Sequence, residues 1–404
     1  MFILEKPFRS ESFIEKLVEL QSMKALILGS GNIGSVAAED LAKTMTSVDV
    51  AIADNDEKRA KTVAEKISRN NVSWIKLNAA DQTELANTLK NHDVTLGFLP
   101  ARLGYGLAKA CIKAKKDLVD VAFMGENPLT LNEEAAKAGV TIVPDCGLAP
   151  GISNVLVGHA TAMLDKTRTV HIFVGGLPEK PEPPLDYVIT WSPESLIDEY
   201  TRKVKIIKNG KRTETEVLTG TQEINFPKIG KLEAFFTDGL RTLPDMIHGT
   251  EEMWEKTLRY PGHAEKIRML KDLGFFKEEK TTVNGSSVSP RKLTVKLLSE
   301  KLTKPEARDI VALKVEVSGM KNNKPTRYVY HLRDYYDREH GITAMARTTA
   351  YPASITAQLI LKDEVKEKGV VPPEKIGANS KLFQLFCEGL QKHGIKIQEE
   401  KITD

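Results

Sequence analysis

The 404-residue sequence is poor in cysteine and histidine, and neither residue is patterned. Cys111, Cys146 and Cys387 form no CxxC pair and have no histidine set beside them. That argues against a zinc site or a disulfide framework and fits a reducing cytoplasm. The eight histidines show no HxxxH or HxH spacing, so no metal is expected. No apolar run reaches the length needed to cross a bilayer, so no membrane partner is expected. An excess of one charge sign is also missing. Lys+Arg total 58 and Asp+Glu 55, for a net charge of +3 without long like-charge blocks, which argues against nucleic acid as a partner. Residues 1–22 lack the unbroken apolar core of a signal peptide, because Glu5, Glu11, Glu15 and Glu19 interrupt it. They read either as a short amphipathic helix or as an upstream start before Met23.

What is present is an alternating rhythm. Short apolar runs at Ala25–Leu28, Val48–Ala53, Val72–Leu77, Val94–Leu99, Leu118–Val121 and Val140–Val143 predict buried parallel strands. Helical spacing falls between them, over Ile33–Lys43, Glu57–Ser68, Gln82–Leu89, Gly106–Ala114 and Leu131–Ala138. This predicts an α/β fold with a doubly wound parallel sheet of the Rossmann kind over residues 23–150. After Pro150 the pattern shifts to alternation and β-branched enrichment. Strands are predicted at Thr169–Val174, Tyr187–Thr190, Val204–Ile207, Glu214–Leu218, Leu232–Phe236, Leu293–Leu298, Ile310–Val317 and Thr326–Leu332. A second α+β domain on a mixed, largely antiparallel sheet is therefore expected over 151–343. Helices over Ser354–Lys368 and Lys381–Lys392 are expected to return to the first domain within 344–404. Long strands with open edges suggest a homodimer or higher homo-oligomer.

The motif Gly29-Ser30-Gly31-Asn32-Ile33-Gly34 follows the first strand and opens a helix, the context a dinucleotide fingerprint requires. Gly29 allows the tight turn, Gly31 lets a pyrophosphate approach the backbone, and Gly34 lets helix and strand pack closely. Asp54 ends the second strand, where a carboxylate bonds adenosine ribose hydroxyls and favours NAD over NADP; Lys58 and Arg59 soften that preference. Ligands of such sheets lie beyond the carboxyl ends of the strands. The cofactor is therefore expected to touch Gly29, Gly31, Asn32, Ile33, Gly34, Asp54, Asn78, Leu99, Pro100, Gly147, Leu148 and Pro150.

Longer stretches carry a resemblance. Val119-Asp120-Val121, Glu126-Asn127-Pro128-Leu129, Gly147-Leu148-Ala149-Pro150-Gly151-Ile152-Ser153-Asn154, Gly175-Gly176-Leu177-Pro178 and Thr190-Trp191-Ser192-Pro193 are followed by Thr237-Asp238-Gly239-Leu240-Arg241, Thr257–His263 and Val371-Pro372-Pro373-Glu374. In that order they resemble the saccharopine dehydrogenase superfamily, and within it the lysine 6-dehydrogenase-like branch. Cys146 and Asn78 depart from that branch's pattern. The resemblance implies hydride exchange at a carbon bearing an amine of an amino-acid substrate: oxidative deamination of L-lysine at its ε-carbon, with a saccharopine-forming or other imine-reducing activity as the alternative. Asp54 departs from the basic residue of NADPH-using saccharopine-forming relatives and favours the lysine side. From a different class, a nucleotide-binding protein without catalysis stays open.

Residue types suggest roles at the reacting end. Arg241 is expected to clamp a substrate α-carboxylate, the alternative being a pair with Asp238 or Asp245. Glu126 is expected to take the amine proton, or to serve only as a loop carboxylate. Asp120 either orients the nicotinamide or bonds backbone in its turn. Trp191 and Tyr187 wall the substrate's aliphatic chain or belong to the core. Cys146 reads as a small hydrophobe. His263 caps the helix after it or shuttles protons.

Overall fold

Aliphatic and β-branched runs buried on both faces build the first sheet. The computed structural model describes residues 23–304 and 306–403; the start segment 1–22 lies outside them. The chain alternates β1 (Met23–Leu28), α1 (Asn32–Thr44), β2 (Val48–Asp54), α2 (Glu57–Ile67), β3 (Val72–Lys76), α3 (Gln82–Leu89) and β4 (Val94–Gly97). It continues through α4 (Ala101–Ala114), β5 (Asp117–Asp120), α5 (Asn132–Ala138) and β6 (Thr141–Val143). The strands lie parallel in the order β6-β5-β4-β1-β2-β3. The change of direction at β1 and β4 opens a crevice above their carboxyl ends. Local chemistry starts the helices: Asp56 accepts the Arg59 N–H to cap α2, and Asp81 accepts from Thr83 and Glu84 to cap α3.

Helix α6 (Ile152–Met163) leads into the long strand β7 (Lys166–Pro178). Then come α7 (Pro193–Glu199), β8 (Val204–Lys208), β9 (Lys211–Thr215), β10 (Gln222–Phe226), β11 (Gly230–Phe236), α8 (Leu243–Met246), β12 (Glu252–Arg259) and α9 (His263–Asp272). A hairpin of β13 (Thr281–Val283) and β14 (Ser286–Val288), helix α10 (Pro290–Leu302), β15 (Asp309–Lys321) and β16 (Lys324–Tyr335) complete this part. The last segments are α11 (Ala344–Leu361), β17 (Gly369–Val370), α12 (Pro373–Ala378), α13 (Ser380–Lys392) and β18 (Ile397–Thr403). The second sheet has nine strands, with β10-β11-β12-β7-β15-β16-β18 in a row and β8 and β9 attached beside β12. Only β12 and β7 pair in parallel; the other pairs are antiparallel.

The terminal segments bind both sheets together. Strand β17 adds to β6 in parallel as the seventh strand of the first sheet, and β18 adds to β16 in the second. Alanines of α11 (Ala346, Ala350, Ala353, Ala357) share one apolar cluster with Ala37 and Ala38 of α1 and with Val311 and Val315 of β15. Small side chains there let the two helices approach closely. Among the described residues no helix is long and apolar enough to cross a membrane.

Four expectations from the sequence are corrected. The strand expected over Glu214–Leu218 lies earlier, as β9 (Lys211–Thr215), because the Asn209-Gly210 turn folds it straight back on β8. Leu293–Leu298 is helical, inside α10, because Ser289 caps the helix by accepting the Lys292 N–H and Pro290 occupies its first turn. Tyr187–Thr190 pairs with no strand; Ile189 N–H bonds only the Leu302 carbonyl at 3.0 Å. The helix expected over Ser354–Lys368 starts earlier and stops at Leu361, before the chain turns into β17.

Candidate active site

The carboxyl ends of β1, β2, β4, β5 and β6 face β7, β11 and β12 of the second sheet across one cleft of about 740 Å³. Its cofactor half is set by backbone geometry. Gly29 has φ +100°, and a Cβ on Gly34 would stand 1.9 Å from the Gly29 carbonyl oxygen, so both positions require glycine. A Cβ on Gly31 would meet no protein atom within 4 Å; it would project into the space a ligand needs. Gly31 is also the N-cap of α1 and supplies no side-chain cap, which leaves the first helical N–H groups open to an anion. The residues present thus fit a dinucleotide pyrophosphate. All twelve residues expected at the cofactor line this cleft: Gly29, Gly31, Asn32, Ile33, Gly34, Asp54, Asn78, Leu99, Pro100, Gly147, Leu148 and Pro150.

Asp54 is buried, and the chain itself supplies its hydrogen bonds. Its Oδ2 accepts from Ser30 N and Ser30 Oγ, both at 2.8 Å, and its Oδ1 from Asp56 N at 2.9 Å. The half-exposed Arg59 reaches over it, with Nη2 at 2.8 and 2.9 Å from the two oxygens. Burial alone would raise this carboxyl, but those bonds hold it below the usual carboxylate range. Asp54 is therefore an ionised carboxylate whose charge is largely cancelled by an arginine on the lining of the same cleft.

The opposite wall comes from β12. A strand directs alternate side chains to one face, and Glu255, Thr257 and Arg259 all point at the cleft. Arg259 Nη2 lies 3.3 and 3.2 Å from the two oxygens of Glu199 at the end of α7, and its Nη1 donates to the Leu258 carbonyl at 2.9 Å. Its guanidinium stacks over Tyr187 at 4.6 Å, and Trp191 Nε1 donates to the Tyr187 hydroxyl at 2.9 Å. Thr257 Oγ1 donates to Glu199 at 2.6 Å.

Glu255 differs from its neighbours. It is 4% exposed, its Oε2 has no hydrogen-bond partner, and its carboxylate lies against Gly239, where a Cβ would come within 1.6 Å. Burial, then the nearby charges of Glu199 and Asp238, push its pKa up to about 8. A group that exchanges a proton near neutrality thus stands in the cleft wall.

Three residues expected at the reacting end are elsewhere. Arg241 does not line the cleft; its Nε contacts Asp145 at 3.0 and 3.1 Å, with both side chains buried. Asp145 reaches it from the loop after β6, a partner other than Asp238 or Asp245. Glu126 is exposed on the loop after β5 and is absent from the lining. Asp120 is fully buried behind the cleft; its Oδ1 accepts the Ala122 N–H at 3.1 Å, and burial lifts its pKa to about 7. Tyr187 and Trp191 do line the cleft, while Cys146 is a buried thiol near Thr356, pushed up to about 12 by burial. His263 is held between the Leu185 carbonyl (2.8 Å) and the Tyr200 hydroxyl (2.9 Å), and burial lowers it to about 3, so it stays neutral.

Sequence reasoning missed Glu255, Asp238 and Glu199. For Glu255 the available signal is its period-two spacing with Thr257 and Arg259, in a segment where no strand is expected; nothing in the local sequence marks Asp238 or Glu199.

Comparisons with known proteins agree with this architecture. The saccharopine dehydrogenase NADP binding domain profile matches residues 25–143, and the saccharopine dehydrogenase C-terminal domain profile matches 147–395. The chain belongs to the saccharopine dehydrogenase family. It is 22% identical to saccharopine dehydrogenase [NADP(+), L-glutamate-forming] of Saccharomyces cerevisiae, over 94% of this chain and 99% of that one. It is also 22% identical to carboxyaminopropylagmatine dehydrogenase of Synechocystis, over 92% of this chain and 97% of the other. Against the alpha-aminoadipic semialdehyde synthase of Arabidopsis thaliana identity is 24% over 93% of this chain, which spans only 44% of that protein. The fold matches that of apo saccharopine dehydrogenase (L-Glu forming) from Saccharomyces cerevisiae with a TM-score of 0.76 and 20% identity, covering 94% of this chain and 100% of that chain.

Two outcomes follow from this geometry. Gly31→Ala should keep its unfolding midpoint yet lose about tenfold or more in dinucleotide affinity, about 1.4 kcal/mol, whereas Gly34→Ala should lower the midpoint as well; calorimetric titration and denaturant unfolding separate them. Arg241→Ala should cost roughly 3–5 kcal/mol of stability, because it leaves Asp145 buried without its partner. Unchanged stability with a raised KM would instead place Arg241 on the substrate.

Proposed function

We propose that this chain is a pyridine-nucleotide-dependent oxidoreductase that exchanges hydride at a carbon bearing the nitrogen of an amino-acid-derived amine. The observation that carries the reading is Glu255: a buried carboxyl with one free oxygen in the cleft wall opposite the dinucleotide fingerprint. When bound, the nicotinamide cofactor supplies the hydride acceptor or donor. An amine is an ammonium near neutral pH, and its carbon cannot release hydride until nitrogen has its lone pair. The Glu255 carboxylate takes that proton in oxidation and returns it in reduction. A pKa of about 8 suits both directions, since a proton-transfer group works best near the operating pH. Tyr187 and Trp191 wall the substrate's methylene chain, and Arg259 fixes Tyr187 and Glu199 in place.

Among narrower readings we favour a secondary amine that joins two fragments. Saccharopine is such an amine, and the yeast relative named for it aligns along nearly its whole length. Oxidative deamination of L-lysine at the ε-carbon is the second reading, supported by Asp54. A screen of saccharopine, lysine and related amines with both dinucleotides, following reduced nicotinamide, tests the reading. It fails if no amine turns over.

Cofactor choice rests on two residues. The Asp54 carboxylate favours NAD(H), and Arg59 both cancels its charge and offers donors to a 2′-phosphate. Comparable affinities for both dinucleotides are expected. Arg59→Ala should weaken NADP(H) about tenfold or more while leaving NAD(H) nearly unchanged, roughly the loss of one charge-assisted contact. Equal losses in calorimetric titration would remove Arg59 from this role.

The proton role has its own test. In the oxidative direction kcat/KM needs ionised Glu255, so it should rise as pH passes about 8. In the reductive direction it should fall through the same range. Glu255→Gln should lower oxidation roughly 10²–10⁴-fold and abolish that inflection. A retained inflection would assign the proton to another group.

A further inference from the structure

A proton taken up by Glu255 must leave it before the next turnover. Glu255 is 4% exposed, and the little that is exposed opens onto the cleft that a substrate fills. Its own route to bulk water is therefore closed while substrate is bound, and a neighbouring group has to pass the proton on. No lysine or histidine stands among the described residues of the lining. Its charged side chains are arginines and the carboxylates Asp54, Glu199, Asp238 and Glu255. An arginine does not give up its proton in a protein. That holds for Arg102, on the lining at the start of α4, and for Arg241, whose Nη2 is buried without a partner.

The carboxylates are not equivalent. Asp54 lies in the cofactor half and is tied to Ser30, Asp56 and Arg59. Glu199 is occupied on both oxygens by Arg259 Nη2, and Thr257 Oγ1 donates to it at 2.6 Å, so protonating it would break a buried ion pair. Asp238 is only half-buried, lines the cleft, and makes no ion pair or side-chain hydrogen bond among the described residues. It also stands beside Glu255. The Thr237 N–H donates to the Glu255 carbonyl at 3.4 Å, and Gly239 lies so close that a Cβ there would come within 1.6 Å of Glu255 Oε1. After burial and Glu199, the charge of Asp238 is the next influence that holds the Glu255 carboxyl up, against the opposing charge of Arg241.

We propose that Asp238 is the relay carboxylate that carries protons between Glu255 and solvent. The proposal rests on the reading of Glu255 as the group that exchanges a proton with the amine. In oxidation the amine nitrogen gives its proton to Glu255. The proton then passes to an Asp238 oxygen, directly or through one water, and from there to solvent or buffer. Glu255 is a carboxylate again, one proton has reached solvent, and no electron has moved in the relay. Reduction runs the same transfers backwards, from solvent through Asp238 and Glu255 to nitrogen.

Two measurements test the relay, the first without turnover. Asp238→Asn removes a negative charge beside Glu255, so in the free protein the Glu255 carboxyl, read by nuclear magnetic resonance, should titrate lower by about half a pH unit or more. An unchanged titration would separate the two carboxylates and overturn the relay. The second uses saccharopine or L-lysine with NADP+. Asp238→Asn should lower kcat about tenfold or more in dilute buffer, as loss of a proton-transfer group does. Added imidazole, a mobile proton carrier, should restore about threefold or more, while the unaltered protein should not respond to it. A residue that only shapes the wall gives no such rescue. Turnover that is undiminished, or diminished beyond rescue by imidazole, overturns the relay and keeps the hydride reading. Failure of both amines to turn over in the unaltered protein removes the hydride reading and the relay with it.

Discussion

A carboxylate taken out of water must find a cation, find donors, or keep its proton, and this constraint sorts the floor of the cleft. Asp145 finds Arg241, Glu199 finds Arg259, and Asp54 finds Ser30, Asp56 and Arg59. Asp120 and Glu255 form no ion pair among the described residues; burial raises both, as it also raises the paired Asp145. They differ in position. Asp120 is packed between Gly97 and Gly104, where an added Cβ would touch its oxygens at 2.5 and 3.0 Å, so it is sealed from the cleft. Glu255 opens onto it. The same physics leaves one residue within the packing and the other on the cleft lining.

Two arginines, Arg241 and Arg202, also join the two sheets. Arg241 of the second part holds the loop after β6, and Arg202 holds the loop after β5 through two carbonyls while stacking on Phe123 at 4.3 Å. Asn127 Nδ2 donates to Asp245 at 3.2 Å across the same junction. The wall that carries Glu255 is therefore registered against the strand ends that would hold the nicotinamide. A change in any of these contacts is expected to move proton acceptor and cofactor apart.

The cofactor half was legible in the sequence because local rules determine it. A turn that needs Gly29, a helix start without a cap at Gly31 and an acid at the end of β2 are all set within a few residues of chain. The substrate half was not. Arg241 looked like a carboxylate clamp, and nothing nearby in sequence shows that Asp145, on the loop after β6, claims it. No strand is expected over Glu252–Arg259, whose charges at 252, 255, 256 and 259 follow no period-two alternation, yet parallel pairing with β7 on one side and antiparallel pairing with β11 on the other makes it a strand and buries nearly all of it. Long-range pairing turned those charges inward. Glu126 failed as an expectation for the converse reason: it shares a strand-end loop with residues of the cleft, but its side chain stands in solvent.

The central claim is that Glu255 carries its proton near neutrality and gives it up to serve the amine. Nuclear magnetic resonance titration of isotope-labelled glutamate carboxyls, with the Glu255 signal identified by its loss in Glu255→Gln, reads this directly. The account predicts a carboxyl that titrates near pH 8 in the free protein and shifts downward when amine binds. A Glu255 signal that titrates in the ordinary acidic range, with or without amine, would contradict it.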